Sequence, residues 1–256
     1  MLSPEEFNRY QRHISLAEIG ISGQLKLKEA KVLVVGAGGL GTPILQYLAA
    51  AGIGVIGMID GDRVDLSNLQ RQILYSKSEV GKLKVEVAAE KLKTLNEEVE
   101  FVLFKEYLTR DNVFDVLRRF DIVVDGTDNF ETRMLLGDAT LMLNKPLVYG
   151  SIYKFEGQVT VFNFGEGPSL RCLFPDKPKK TDRPNCNEVG VLGVLPGLIG
   201  LQMATEVMKI VLDIGDVLKG QLFVTNILNN TRSILKVTRI EENFKRVELE
   251  DDYSLH

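Results

Sequence analysis

The segment Gly36-Ala37-Gly38-Gly39-Leu40-Gly41 fits the pattern G-x-G-x-x-G, and Asp60 stands at the end of the next apolar run. Glycines at those spacings let a backbone come close to a phosphate group at a helix N-terminus, where free N–H groups and the helix dipole favour an anion. A carboxylate at the end of the second strand is placed to accept hydrogen bonds from a ribose. The chemistry indicated is nucleotide binding, with a purely structural glycine turn as the alternative. The motif does not choose the nucleotide, and NAD is the default rival.

Other residues could carry chemistry as well. Gly61 to Gln72 reads GDRVDLSNLQRQ, a polar loop after a strand's C-terminal end, where ligands bind in doubly wound sheets. Lys82 and Lys84 stand at the start of an amphipathic stretch. A cation there opposes the helix dipole and costs a little stability unless it serves an anion, so Lys84 is as readily functional as not. Asp125 and Asp128 lie in the turn DGTDN at the same sheet edge. A carboxylate there could hold Mg²⁺ against phosphates, or cap the following helix, and Asp128 could do both. The stretch from Asp176 to Asn187, DKPKKTDRPNCN, reads as a flexible loop delivering Cys186. Unpaired cysteines are typically buried, whereas Lys177, Lys179, Lys180 and Arg183 would favour a thiolate here.

Positioning these groups requires a parallel sheet. Val32 to Val35 and Val55 to Ile59 are short β-branched runs of the kind buried on both faces. Between them Ile44, Leu45 and Leu48 recur at helical spacing, with Pro43 in a first turn and Gly52 placed as a terminator. A second helix is predicted from Gly81 to Asn96, with Val85, Ala88, Ala89 and Leu92 as its apolar stripe. Val99 to Phe104 and Asp121 to Asp125 are further strands, and Thr109 is read as capping a helix through Phe120. Leu147 to Tyr153 and Gln158 to Phe164 then look like strands joined by a turn at Glu156-Gly157, a change from βα alternation to hairpins. Pro196 opens an apolar helix whose Leu201, Ala204, Met208 and Val211 suit a core, and a hairpin around Asn229-Asn230 follows. At the front, Ser3-Pro4-Glu5-Glu6 is a capping box opening a short helix with Arg9, Tyr10, Arg12 and His13. That helix is a solvated arm, or a pair of arginines three apart that grips phosphate. The tail from Glu248 to His256 is acidic and expected to be solvated. The fold class is α/β: a Rossmann-like, doubly wound, mainly parallel sheet with a smaller mixed or antiparallel C-terminal extension.

A chain of 256 residues can bury one sizeable core or two small ones. A net charge of −4 gives no general electrostatic reason to bind nucleic acid. Two cysteines are too few for a disulfide framework, and the N-terminus lacks a signal-peptide core, so the expected location is the cytoplasm. The longest apolar stretch, Val189 to Leu212, contains Glu206 and Lys209 and reads as a buried helix with a preceding loop rather than a membrane span.

Together these motifs resemble the ThiF/MoeB/HesA family, the bacterial relatives of ubiquitin-activating enzymes. The resemblance runs from about Phe7 to about Thr238 and rests on R-Y-x-R-x at Arg9 to His13, G-A-G-G-L-G, D-x-D-x-V-x-L-S-N-L-Q-R-Q from Asp60 to Gln72, V-G-K-L-K at Val80 to Lys84, D-G-T-D-N at Asp125 to Asn129, E-G-Q-V-T-V-F at Glu156 to Phe162, and C-x-E-x-G-V-L at Cys186 to Leu192. It implies ATP-dependent adenylation of the C-terminal glycine carboxylate of a small ubiquitin-fold sulfur carrier ending in Gly-Gly. Gly39 would approach the phosphates and Asp60 would hold the ribose. Asn68, Arg71 and Lys84 would grip the triphosphate, and Asp128 would arrange Mg²⁺. Gly36, Gly38, Gly41, Asp62, Gln72 and Asn129 complete the implied nucleotide site. Arg12 would reach into the partner subunit's site, so a homodimer is implied. Cys186 sits where some relatives form a covalent adduct with the carrier and others do not need the cysteine. A single adenylation domain is expected over 1–256, with the arm and nucleotide-binding half at 1–150 and the carrier-binding and dimerisation half at 151–256.

The chain departs from the family at its structural zinc. Most relatives carry two C-x-x-C pairs, whereas here Ser169-Leu170-Arg171-Cys172 retains one cysteine and no second pair exists. Four-coordinate zinc needs four ligands, so no structural zinc is expected. Cys172 is then a relic packed in the core, less reactive than Cys186, and the second half is held by packing alone. Two rival functions remain: an NAD-dependent oxidoreductase, and a non-catalytic scaffold that binds a ubiquitin-fold protein. The first leaves Asn68, Arg71 and Lys84 without a task, and the second leaves Asp60, Arg71, Lys84 and Asp128 without one. The pathway, thiamine or molybdopterin synthesis or another sulfur-carrier system, is open, and a separate sulfur donor is expected.

Overall fold

A computed structural model describes residues 1–175 and 190–254. Eight strands form one sheet in the order β3-β2-β1-β4-β5-β6-β7-β8. β1 (Lys31–Val35), β2 (Val55–Ile59), β3 (Glu100–Phe104), β4 (Ile122–Asp125) and β5 (Leu147–Tyr153) run parallel. β6 (Glu156–Phe162), β7 (Gln221–Asn226) and β8 (Thr231–Lys236) continue antiparallel. Strand order reverses between β1 and β4, which is where a doubly wound sheet opens a ligand crevice.

Alternation along β1 explains the layering. Val32 and Val34 face one core, together with α3 (Gly20–Glu29), α4 (Gly41–Ala51), α5 (Lys84–Leu95) and α9 (Val194–Leu212). Leu33 and Val35 face the other, with α6 (Val113–Leu117), α7 (Phe130–Met142) and α8 (Leu170–Leu173). Strands covered on both faces need apolar residues at every position, which is why β1 and β2 read as unbroken runs.

The long helix α9 packs against α4, β5 and β6. Its length and composition would let it cross a membrane, yet Leu195, Ile199, Met203 and Val207 are fully buried in the protein. Glu206, also fully buried, accepts the Leu218 N–H at 2.9 Å and pairs with Lys209 at 2.6 Å, so its charge is compensated inside the fold.

Several boundaries differ from expectation. The turn between β5 and β6 is Lys154-Phe155, with Lys154 at φ 53°, so Glu156 and Gly157 already belong to the strand. The helix before β4 runs Val113–Leu117 rather than from Thr109 to Phe120; Thr109 does not cap it, and its N–H donates instead to Asn112 Oδ1 at 2.8 Å. The N-terminal arm is two short helices, α1 (Pro4–Arg9) and α2 (Gln11–Ile14), so Arg9 and Arg12 do not share one helix. Its capping box does form, with Ser3 Oγ accepting the Glu6 N–H at 3.1 Å. The arm is docked, not loose: Tyr10 is buried and its hydroxyl accepts from Asn96 at 2.7 Å.

The C-terminal half also departs from the sequence reading. Arg171 grips the fully buried Asp138 through two hydrogen bonds of 2.9 and 2.7 Å and also pairs with Glu250 at 2.6 Å. Tyr253, buried in the segment expected to be solvated, donates to Asp138 Oδ2 at 2.8 Å. This polar network, not packing alone, fastens the second half. Cys172 is half-buried rather than in the core. Its sulfur accepts from the Ile240 N–H at 3.3 Å and from Asn243 Nδ2 at 3.4 Å, with Ser169 Oγ also 3.4 Å away. Burial opposes the thiolate, but these hydrogen bonds outweigh it and hold the thiol below its ordinary range. Cys172 is therefore not the core-packed relic that the sequence predicts.

Candidate functional site

Because β1, β2, β3 and β4 are parallel, the residues following them gather at one edge of the sheet. Gly36 to Gly41 leaves β1, Asp60 leaves β2, and Asp125 to Asn129 ends β4. Gly36 has φ 91°, and a Cβ there would stand 2.8 Å from the Gly126 carbonyl oxygen. A Cβ on Gly41 would stand 1.9 Å from the Gly36 carbonyl oxygen. The turn is thus glycine by necessity: its own backbone and the neighbouring loop occupy the space a side chain would need. The start of α4 follows directly, presenting a helix N-terminus.

Asp60 knits the glycine turn to the next loop. Its Oδ2 accepts the Ala37 N–H at 2.8 Å and its Oδ1 accepts the Asp62 N–H at 2.7 Å. Burial raises the Asp60 carboxyl above its ordinary value, against the opposing pull of Lys84 and those two N–H groups. Tyr75 supports the turn from below, donating to the Ala37 carbonyl at 2.8 Å. Lys84 is the first residue of α5, almost fully buried, and its Nζ lies 2.7 Å from Asp62 Oδ2.

The loop 61–72 folds back over the glycines. A Cβ on Gly39 would meet Pro196 Cβ at 3.2 Å and Arg71 Cγ at 3.5 Å, which places the Arg71 stem beside the turn. Arg71 donates to the Ser67 carbonyl at 3.3 Å, and Asn68 Nδ2 reaches Ser67 Oγ at 3.3 Å. Gln72 is buried with Oε1 unsatisfied, and Thr42 Oγ1 in the first turn of α4 is likewise buried without a partner. Buried polar atoms without partners at a glycine turn fit a cradle that receives polar atoms from a ligand.

The two carboxylates of the β4 turn separate into different tasks. Asp125 is fully buried and pairs with Arg133 at 2.9 Å, while its Oδ1 accepts the Thr127 N–H and hydroxyl at 3.0 and 2.6 Å. It is therefore committed to structure. Asn129, not Asp128, caps α7, its Oδ1 accepting the Thr132 N–H at 2.8 Å. Asp128 is exposed and, among the described residues, makes no side-chain hydrogen bond or ion pair. It is left available for a cation.

Arg12 is exposed on α2, in the arm rather than in the glycine-turn edge of its own chain. Cys186 and the cations Lys177, Lys179, Lys180 and Arg183 lie outside the described residues. Sequence reasoning missed Tyr75, Tyr107 and Arg133. Arg133 carried a trace, a charged residue beside apolar Met134, Leu135 and Leu136 in a helix; the tyrosines carried none.

The model described as the ThiF family matches residues 10–246. The sulfur carrier protein adenylyltransferase of Thermus thermophilus is 48% identical over 240 residues, covering 92% of this chain and 89% of its own length. The adenylyltransferase and sulfurtransferase MOCS3 of Aedes aegypti is 51% identical over 223 residues, 87% of this chain but 51% of that protein. This chain therefore spans about half the length of that relative. Among solved structures, the crystal structure of E. coli MccB with ATP matches with a TM-score of 0.78 at 24% identity, over 93% of this chain and 73% of the other, a likeness of fold.

Proposed function

The chain belongs to the ThiF family, and on that premise we propose that it is an ATP-dependent adenylyltransferase acting on the C-terminal glycine of a ubiquitin-fold sulfur carrier. The carboxylate of that glycine attacks the α-phosphate of ATP. The bond to pyrophosphate breaks, and a carrier acyl-adenylate forms. The substrate supplies its own nucleophile, so the protein's task is to position two substrates and stabilise the charge on departing pyrophosphate. The supporting observation is the convergence of the glycine turn, Asp60, the Lys84 ammonium and unpaired Asp128 at one sheet edge.

In this reading Gly36 and Gly41 shape the turn along which Gly38 and Gly39 admit the phosphates, and Asp60 holds the ribose, with Asp62, Gln72 and Asn129 supporting the site. Asn68, Arg71 and Lys84 are the fixed groups on the triphosphate. Asp128 would hold Mg²⁺, which supplies charge neutralisation on the phosphate oxygens. Arg12 completes the site of a second copy, so the working form is a homodimer. The nucleotide half is 1–150 and the carrier-binding and dimerisation half is 151–256. Cys186 is not needed for adenylation; only a later covalent transfer from the acyl-adenylate could call on it, and without such a transfer it is a loop residue. A sulfur donor for the activated carrier and a cytoplasmic location belong to the same reading.

Exchange of labelled pyrophosphate into ATP that depends on a Gly-Gly-ended carrier tests the reading. Testing thiamine-type and molybdopterin-type carriers in turn identifies the pathway. Thermal protection by NADH but not by ATP–Mg²⁺ would sink it.

A further inference from the structure

Tyr107 stands three residues beyond the end of β3, in a segment to which neither the motifs nor the reaction assigns a task. Its hydroxyl donates to Asp62 Oδ1 at 2.6 Å, while Lys84 Nζ donates to Asp62 Oδ2 at 2.7 Å. The carboxylate is thus clamped from both sides. Lys84 is tied to the same residue by its backbone, its N–H donating to the Asp62 carbonyl at 3.0 Å. The ring of Tyr107 lies against Gly61: a Cβ there would stand 2.9 Å from Tyr107 Cε2, so glycine leaves room for the ring. Asn112 Nδ2 fixes the Tyr107 carbonyl at 3.0 Å. The side chain of Asp62 is about half exposed, whereas that of Lys84 is 5% exposed.

This arrangement has a physical consequence. An ammonium at the first residue of a helix is opposed by the helix dipole and needs an anion. Asp62 is that anion, and a half-exposed carboxylate held by one partner only would swing. The second donor stops the swing. Burial works against the Asp62 anion, but the hydrogen bonds from Lys84 and Tyr107 outweigh it and keep the carboxyl below its ordinary range. The same bond holds the Tyr107 phenol above its ordinary range, so it stays a donor at neutral pH. An ammonium has three hydrogens, and Asp62 takes one.

We propose that Tyr107 is a positioning residue that acts through Asp62 to fix the Lys84 ammonium for the phosphates of the nucleotide. The proposal rests on the ATP-binding reading of this edge. ATP–Mg²⁺ titrated into the full chain and its variants, by calorimetry, tests both. In Tyr107→Phe the dissociation constant rises about fivefold to tenfold, the scale of one charge-assisted hydrogen bond near the surface. The Michaelis constant for the carrier stays unchanged. The melting temperature stays within about 2 °C of wild type, because an exposed hydroxyl is removed. In an Asp62→Ala background, Tyr107→Phe changes ATP binding by less than about twofold, because the link is already cut. Equal ATP binding by wild type and Tyr107→Phe overturns the proposal, as does an equal loss in both backgrounds. Wild type that binds no ATP–Mg²⁺ overturns the ATP reading, and this proposal with it.

Discussion

The Arg133 guanidinium lies 2.9 Å from the Asp125 carboxylate, and both side chains are buried at the end of β4. Arg133 also donates to the Thr127 and Gly150 carbonyls at 3.0 and 3.1 Å, tying the loop that carries Asp128 to β5. Removing the arginine leaves a buried carboxylate unpaired. Arg133→Ala is expected to cost about 3–5 kcal/mol of stability, measured by denaturant unfolding. A cost under about 1 kcal/mol would mean that water replaces the pair.

The division of labour between Asp128 and Asn129 gives a second test. Asn129→Ala removes an N-cap and should cost about 1 kcal/mol. Asp128→Ala should leave stability within about 0.5 kcal/mol, since the side chain is exposed and unpaired. The same change should abolish carrier-dependent pyrophosphate exchange. Normal exchange in Asp128→Ala would remove that residue from the mechanism.

Arg12 is expected to work in trans. Inactive Arg12→Ala mixed with inactive Asp60→Ala should regain part of the exchange activity through hybrid dimers, each with one intact site and one doubly damaged site. Hybrids that form, as seen by mass spectrometry of differently tagged chains, yet stay inactive would contradict the arrangement.

The Asp138 network predicts how the C-terminal segment is held. Tyr253→Phe removes one donor from a fully buried carboxylate that keeps both bonds to Arg171, and should cost about 1–2 kcal/mol. Around Cys172 the positions of Ser169, Ile240 and Asn243 are filled by hydrogen-bonding groups. Elemental analysis should find no stoichiometric zinc; about one zinc per chain would contradict the ligand count.

Asp62 predicts a pH dependence. Its folded-state carboxyl is lowered, so its contribution is present above the unfolded value of about 4 and is lost as pH falls through the lowered folded value. Wild type should therefore exceed Asp62→Asn in stability at pH 7, and the difference should shrink as the pH falls from about 4 through the lowered folded value. A constant difference across that range would show that Asp62 acts through shape and not charge.

Gly36 to Gly41, Asp60 and the apolar runs of β1 and β2 were legible in the chain because each is a local pattern. A strand buried on both faces must be apolar throughout, and a turn whose space is filled by backbone must be glycine. The family blocks nominated Asn68, Arg71, Lys84 and Asp128 for the nucleotide site for the same reason, as they are short and ordered. Local boundaries were less secure: Asn112 displaced Thr109, and Asn129 took the capping task that Asp128 could have had. The long-range pairs left no trace. Tyr107 reaches Asp62 across 45 positions, and Tyr253 reaches Asp138 across 115. A side chain's hydrogen-bond partner depends on which loops the sheet order brings together, and no periodicity in the chain encodes that distance. Periodicity arises from the repeat of one element and the next turn, whereas a buried charge selects its partner only once the layers have closed around it.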